Sequence, residues 1–365
     1  MRSYIVRAGH YRRTIHLIES ILTLSLVALA FALREGIVLT FSVLMLISIL
    51  SAGHELVSRI YYERMLPPRM QRICNPVKMF AAQVSVIMTY GMMIMAVGVL
   101  QIYFRRYSPM LSWSMGCYVA AGVMLLFTLW HMTVLHTTHV KSNFSNNTVG
   151  SSFRAEIKII ERIRQQPHWW RYLLTSILIL LPQSLMFYTR VLFLIAKKED
   201  GGLSCTLQEI GFAQGTIGVI AYWIGISSGR WLLSVARKRQ RLFWPLTVCL
   251  GLSPLIYLIM TIEPPTTLLT LCIATFQAQL LFGFGLNATL YAVKHISGER
   301  YRNTINLLYI PLISLSMILP VGISGWLCTT LGFHTFYIID TLSAPIAWIT
   351  TWIILRQPER EITPH

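Results

Sequence analysis

The sequence predicts an all-α membrane protein of about ten transmembrane helices, a four-helix group followed by a six-helix bundle. Three observations carry this. Ten apolar stretches recur along the 365 residues, each meeting the roughly 20 residues that a hydrocarbon core about 30 Å thick asks of a helix. Hydrophobic residues make up 55% of the chain and charged residues 12%, too few to clothe a soluble core of this length. Lysine and arginine gather at those ends of the stretches that would share one side of a membrane, as the positive-inside rule requires.

The first span covers residues 16–33, behind Arg2, Arg7, Arg12 and Arg13, and the turn Arg34-Glu35-Gly36 leads into the second, 37–62. Arg64, Pro67, Pro68, Arg69 and Arg72 then make a basic inner loop with a helix stop built in. The third span, 77–104, joins the fourth, 110–135, through Arg105-Arg106, an outer pair that runs against the charge bias and is outnumbered. Residues 141–152, KSNFSNNTVGSS, lack periodicity and read as a linker. After it, Phe153, Ile157, Ile160 and Ile163 form a stripe opposite Arg154, Lys158, Arg162 and Arg164, an amphipathic helix suited to the inner membrane surface or to a solvated connector.

Six further spans are expected at 170–195, 208–232, 243–262, 266–291, 307–327 and 336–355. Their inner loops carry Arg237-Lys238-Arg239 and Arg241, then Lys294, Arg300 and Arg302, then Arg356 and Arg360. The organisation is therefore a four-helix part (1–140), an inner linker (141–168) and a six-helix part (169–365), with both termini on the cytosolic side.

The same pattern narrows the function classes. A net charge of +17 suits nucleic acid, but most bases flank the apolar spans, so the expected partner is the lipid bilayer and not nucleic acid. The N-terminal pattern lacks the marks of a cleavable signal peptide, so none is expected to be removed. Cys74, Cys117, Cys205, Cys249, Cys272 and Cys328 form no CxxC pair and read as small buried hydrophobes. The sequon at Asn146 falls on the cytosolic side, where it would be silent. His131, His136 and His139 lack the spacing of a helical ligand pair, and no phosphate loop or Ser/His/Asp pattern is present. Neither a metal, a cofactor nor an enzymatic activity is expected.

Particular residues carry a resemblance. Gly201-Gly202-Leu203-Ser204, Glu209-Ile210-Gly211, Gly215-Thr216-Ile217-Gly218-Val219, the run from Ser228-Gly229-Arg230 to Arg241, and Phe243-Trp244-Pro245-Leu246 occur in order. Gly283-Phe284-Gly285, Ser324-Gly325-Trp326-Leu327 and Leu331-Gly332-Phe333 follow. Together they resemble the second half of a major facilitator superfamily transporter, closest to the AmpG-like permeases, which import muropeptides in some bacteria. In the first half the likeness rests on Gly53-His54-Glu55, similar to a His-acid pair on the family's fourth helix, with Arg59 where a second acid is usual. Gln183 stands where the family often has an acid after a proline.

The resemblance implies that the family's first two helices are absent. Four helices against six then leave a looser first group and a lateral groove, with His54 and Gln279 partly uncovered. A second copy or a partner subunit would cover that groove. It implies a secondary-transporter-like protein of the bacterial inner membrane that moves a small or mid-sized solute, muropeptide- or saccharide-like, by alternating access. The competing reading is a degenerate, non-transporting relative that serves as a scaffold or accessory subunit.

Ionisable residues inside spans are functional candidates, because burying them unpaired is costly. Glu19, His54, Glu55, Arg190, Asp340 and Lys294 qualify. Arg190 can bind an anionic solute or snorkel to headgroups beside Lys197. Glu55 and Arg59 stand i, i+4 and can pair, next to His54, as a coupling or gating group or as a structural pair. Asp340, six residues past His334, is expected near the outer interface with a hydrated cap. Gln279 and Asn287 share a helix face with Gly283 between them, and with Tyr291 they are the expected solute contacts, close helix packing being the alternative.

Overall fold

A computed structural model describes residues 11–104, 109–135, 169–236, 239–297 and 302–356. The linker and amphipathic helix expected over 141–168 lie outside these residues, as do Arg105-Arg106, His136, His139, Asn146, Arg237-Lys238 and the side chain of Lys294. All regular structure among the described residues is helical. Nine of the described helices are long and apolar enough to cross a membrane, the architecture of a multi-pass membrane protein. The ninth, Ser314–Leu355, is 42 residues, about 63 Å if straight, and so has chain enough for two crossings. It breaks at Gly332, between the two spans expected there.

In chain order the helices are α1 (Tyr11–Glu35), α2 (Ile37–Met65), α3 (Pro68–Val86) and α4 (Ile94–Tyr103), the last two continuous through a π turn (Ile87–Met93). Next come α5 (Pro109–Val134), α6 (Trp169–Ile195), α7 (Leu207–Phe212), a second π turn (Ala213–Gly218) and α8 (Val219–Val235). The chain ends with α9 (Arg239–Ile262), α10 (Leu268–Ser297), α11 (Arg302–Leu342) and α12 (Ala344–Arg356). They form two compact units. The first holds residues 1–82 and 96–166, the second 83–95 and 167–365. The second unit thus takes in a stretch, 83–95, that the sequence groups with the first four spans.

In the first unit α1 is the middle helix, packed against both α2 and α5. Its apolar stripe Tyr11, Ile15, Ile18 and Leu22 meets Val57 and Ile60 of α2, with Met124 of α5 and Leu135 just past its end alongside. Ser114 of α5 donates its hydroxyl to the α1 carbonyl of Ala30 at 2.8 Å. In the apolar 18-residue stretch of the α2 span, Ile37–Tyr62, only 6% of residues are buried in protein, against 56% for that of Leu174–Ile195 in the second unit. Lipid is the solvent that apolar α2 side chains such as Ile37, Phe41 and Ile49 require.

The second unit is built on two close helix pairs, α8 with α10 and α6 with α11, joined by α9. Small residues allow the approach, since helices in lipid associate through packing and not through exclusion of water. The two π turns touch where Gly215 meets Tyr90 and Gly91. Near the start of α7, Thr206 and Glu209 close a reciprocal capping box. In the loop before it, burial, with the Glu209 carboxylate adding, pushes the Cys205 thiol up to about 11, so it stays protonated and unreactive at neutral pH.

Gly332 has φ 76° and ψ 162°, a region open essentially to glycine alone, with nothing within 4 Å of an added Cβ. Gly332→Ala is therefore expected to cost about 1–3 kcal/mol from backbone strain alone. Gly325→Ala in the same element, also facing open space, should be neutral or gain up to about 1 kcal/mol. Thermal unfolding of the two purified variants checks this. Equal melting temperatures would show that the break is not strained.

Candidate functional site

The first unit buries a carboxyl among histidines. On α1, Arg12, His16 and Glu19 follow at helical spacing, so they share one face beside the apolar stripe. Glu19 is 0% exposed although it lies inside an apolar span. One of its oxygens, Oε1, takes two imidazoles: His131 Nδ1 of α5 at 2.6 Å and His54 Nε2 of α2 at 2.9 Å. The other, Oε2, faces His16 Nδ1 at 3.9 Å, beyond hydrogen-bond reach. Arg12 continues the line: its Nε donates toward His16 Nε2 at 3.4 Å and its Nη2 donates to the Met132 carbonyl at 2.5 Å.

This arrangement has a definite chemistry. An ionised carboxylate only accepts, so both facing imidazole nitrogens must then carry protons. With neutral imidazoles the Glu19–His54–His131 group has a net charge of −1, and one added proton brings it to zero. The cluster can therefore gain and lose a proton while keeping a hydrogen-bonded frame, and the side chains of His54 and His131, 27% and 32% exposed, provide the way in. Among the described residues no group of three or more ligating side chains is arranged to hold a metal ion.

Sequence reasoning named Glu19 and His54 separately and set His131 in a different group. The stripe of Arg12, His16 and Glu19 was a readable signal; the pairing across 35 and 112 residues was not. Glu55 and Arg59, expected beside His54 as its coupling partners, sit on the exposed side of α2, while His54 turns to Glu19.

The second unit holds the other candidates. Gln279 is buried and donates to Gln214 Oε1 at 3.2 Å, and Gln214 donates to the Tyr257 hydroxyl at 2.8 Å. Arg190, half-buried over the Phe187 ring at 5.2 Å, lies within electrostatic reach of the Tyr90 and Tyr257 hydroxyls. Gln183 donates to the Leu250 carbonyl at 2.8 Å. Asn287 does not reach toward open space. Its amide donates to the carbonyls of Ile226, Gly283 and Phe284 at 3.1–3.3 Å and fastens α10 to α8. Tyr291 packs beside Phe243, ring centroids 5.5 Å apart. Asp340, expected under a hydrated cap, is instead 0% exposed. Close helix packing, the alternative open for the Gln279–Asn287 face, is what both amides do.

No protein-family model matches this chain, and no curated protein matches it.

Proposed function

We propose that this chain is a secondary-transporter-like carrier driven by protons. In that reading it is an AmpG-like member of the major facilitator superfamily in a bacterial inner membrane, with both termini cytosolic. It moves a small or mid-sized solute, muropeptide- or saccharide-like, by alternating access. The observation that carries the reading is the Glu19 carboxyl, buried in a membrane span and shared by His54 and His131 from two other helices. Ionisable groups at such depth mark proton relays and ion paths, because they are too costly to keep without a use. The glycine-rich motifs of the second half support the family reading, and the half-buried Arg190 guanidinium, within electrostatic reach of the Tyr90 and Tyr257 hydroxyls, supplies a cation suited to an anionic solute.

A second reading, a non-transporting relative acting as a scaffold or accessory subunit, is favoured by one observation. Asn287 and Gln279 spend their amides inside the second unit.

The test reconstitutes the full chain in liposomes with an imposed proton gradient and follows a radiolabelled disaccharide-peptide and the free disaccharide. Accumulation above protein-free liposomes, collapsed by an uncoupler, is expected. Uptake at the protein-free level for both solutes would favour the second reading, and uptake indifferent to the uncoupler would remove the proton.

A further inference from the structure

Asp340 belongs to no part of the Glu19 cluster. It lies in the other unit, and both of its carboxyl oxygens are buried without a hydrogen-bond partner. It stands eight residues beyond the break at Gly332, about 12 Å along the helix. That is near the middle of a hydrocarbon core about 30 Å thick.

The chain is interrupted again just past it. α11 ends at Leu342 and α12 begins at Ala344; between them the Ser343 N–H is shared by the Ile339 and Asp340 carbonyls, each at 3.0 Å, and its hydroxyl donates to the Asp340 carbonyl at 2.6 Å. Interrupted helices at membrane depth are tolerated where protein buries them or where they line a cavity, and they recur at ion sites.

The groups around Asp340 do not neutralise it. On its own helix Tyr337 precedes it by one turn, with Cys328 further back, and His334 is engaged by Thr261 Oγ1 at 2.8 Å. From α9, Tyr257 stacks on Tyr337 with ring centroids 5.7 Å apart. The α6 cation Arg190 sits over Phe187 and is not paired with Asp340. Cys272 of α10 belongs to the same apolar cluster as Tyr337. Among the described residues no ion pair reaches Asp340. An ionised carboxylate left so in hydrocarbon costs several kcal/mol or more, whereas the neutral acid costs far less.

We propose that Asp340 is a second proton-binding site, in the membrane interior of the second unit and separate from the Glu19 cluster. Its carboxyl holds a proton in the packed arrangement and exchanges it when that packing loosens. This stands on its own observation and needs no transported solute.

Dicyclohexylcarbodiimide tests it. A protonated carboxyl adds its O–H across the reagent's N=C=N bond, giving an O-acylisourea that rearranges to a stable N-acylurea, so atoms balance without a further reactant. The full chain in native membranes is treated with this lipid-soluble reagent and, separately, with a water-soluble carbodiimide, and its peptides are weighed. The Asp340 peptide should gain one reagent mass from the lipid-soluble reagent, with a yield that falls as the medium is made alkaline, and none from the water-soluble one. Asp340→Asn should lose that label, keep wild-type abundance and leave the labelling of Glu19 as it was. An unlabelled Asp340 in wild-type membranes at acidic pH, or equal labelling by both reagents, would overturn the proposal. Loss of D340N from the membrane would also count against it, since an amide differs little from a neutral acid in shape and charge. The readout is peptide mass, so a failed uptake experiment leaves this proposal unaffected.

Discussion

Glu19→Ala is expected to loosen the first unit, while Glu19→Gln should keep its fold and lose its proton response. The alanine variant removes the acceptor shared by His54 and His131 and leaves two imidazoles facing apolar side chains of α1. Interhelical hydrogen bonds in membranes average about 0.6 kcal/mol and reach about 1.7 kcal/mol, so two of them set a loss of about 1–3 kcal/mol. Glutamine retains a carbonyl oxygen for one imidazole and cannot be protonated. The measurements are thermal unfolding in detergent and proton uptake after an acid pulse to reconstituted chain. Alanine should lower the melting temperature and glutamine should abolish the uptake phase assigned to the cluster. An E19A chain that melts like wild type would show that α1 is held by apolar packing alone. Undiminished proton uptake by E19Q would free Glu19 of the coupling role.

Gly283→Val should be more damaging still. A Cβ there runs into the backbone carbonyl oxygen of Tyr222 and comes within 3.1 Å of the Ile226 nitrogen. At the facing Gly225 a Cβ meets the Leu280 carbonyl oxygen and lies 2.8 Å from the Phe284 nitrogen. Both obstacles are backbone, so no rotamer change relieves them and α8 must move away from α10. Overpacking of this kind costs about 1–3 kcal/mol per site, and separation would also break the Asn287 bond to Ile226. Membrane abundance and the melting temperature of G283V should both fall, while Gly122→Val, at a glycine with nothing within 4 Å, should leave them unchanged. Equal behaviour of the two variants would refute the close crossing.

The candidate site was legible in part. Glu19 and Asp340 could be picked out because an acid in an apolar run is costly wherever the run folds. Their environments could not. Asp340 was placed near the interface by counting from His334, yet packing in the second unit covers it wholly. His131 was weighed with His136 and His139, its neighbours in the chain, whereas its partner stands 112 residues away on α1. Asn287 and Gln279 were expected on one helix face as solute contacts, but the direction of each amide depends on which helix approaches.

By itself the sequence determined the class of the molecule, because apolar length and the position of lysine and arginine are local properties that a bilayer reads segment by segment. It likewise placed most of the apolar spans, and separated the last long stretch into two spans on either side of residue 332. Only the tertiary structure decided which polar side chains meet. That choice depends on the rotation and separation of neighbouring helices, which close backbone approaches such as Gly225 against Leu280 and Gly283 against Tyr222 fix. A turn of one helix by a single residue, about 100°, would carry Glu19 away from both histidines and leave the span equally apolar.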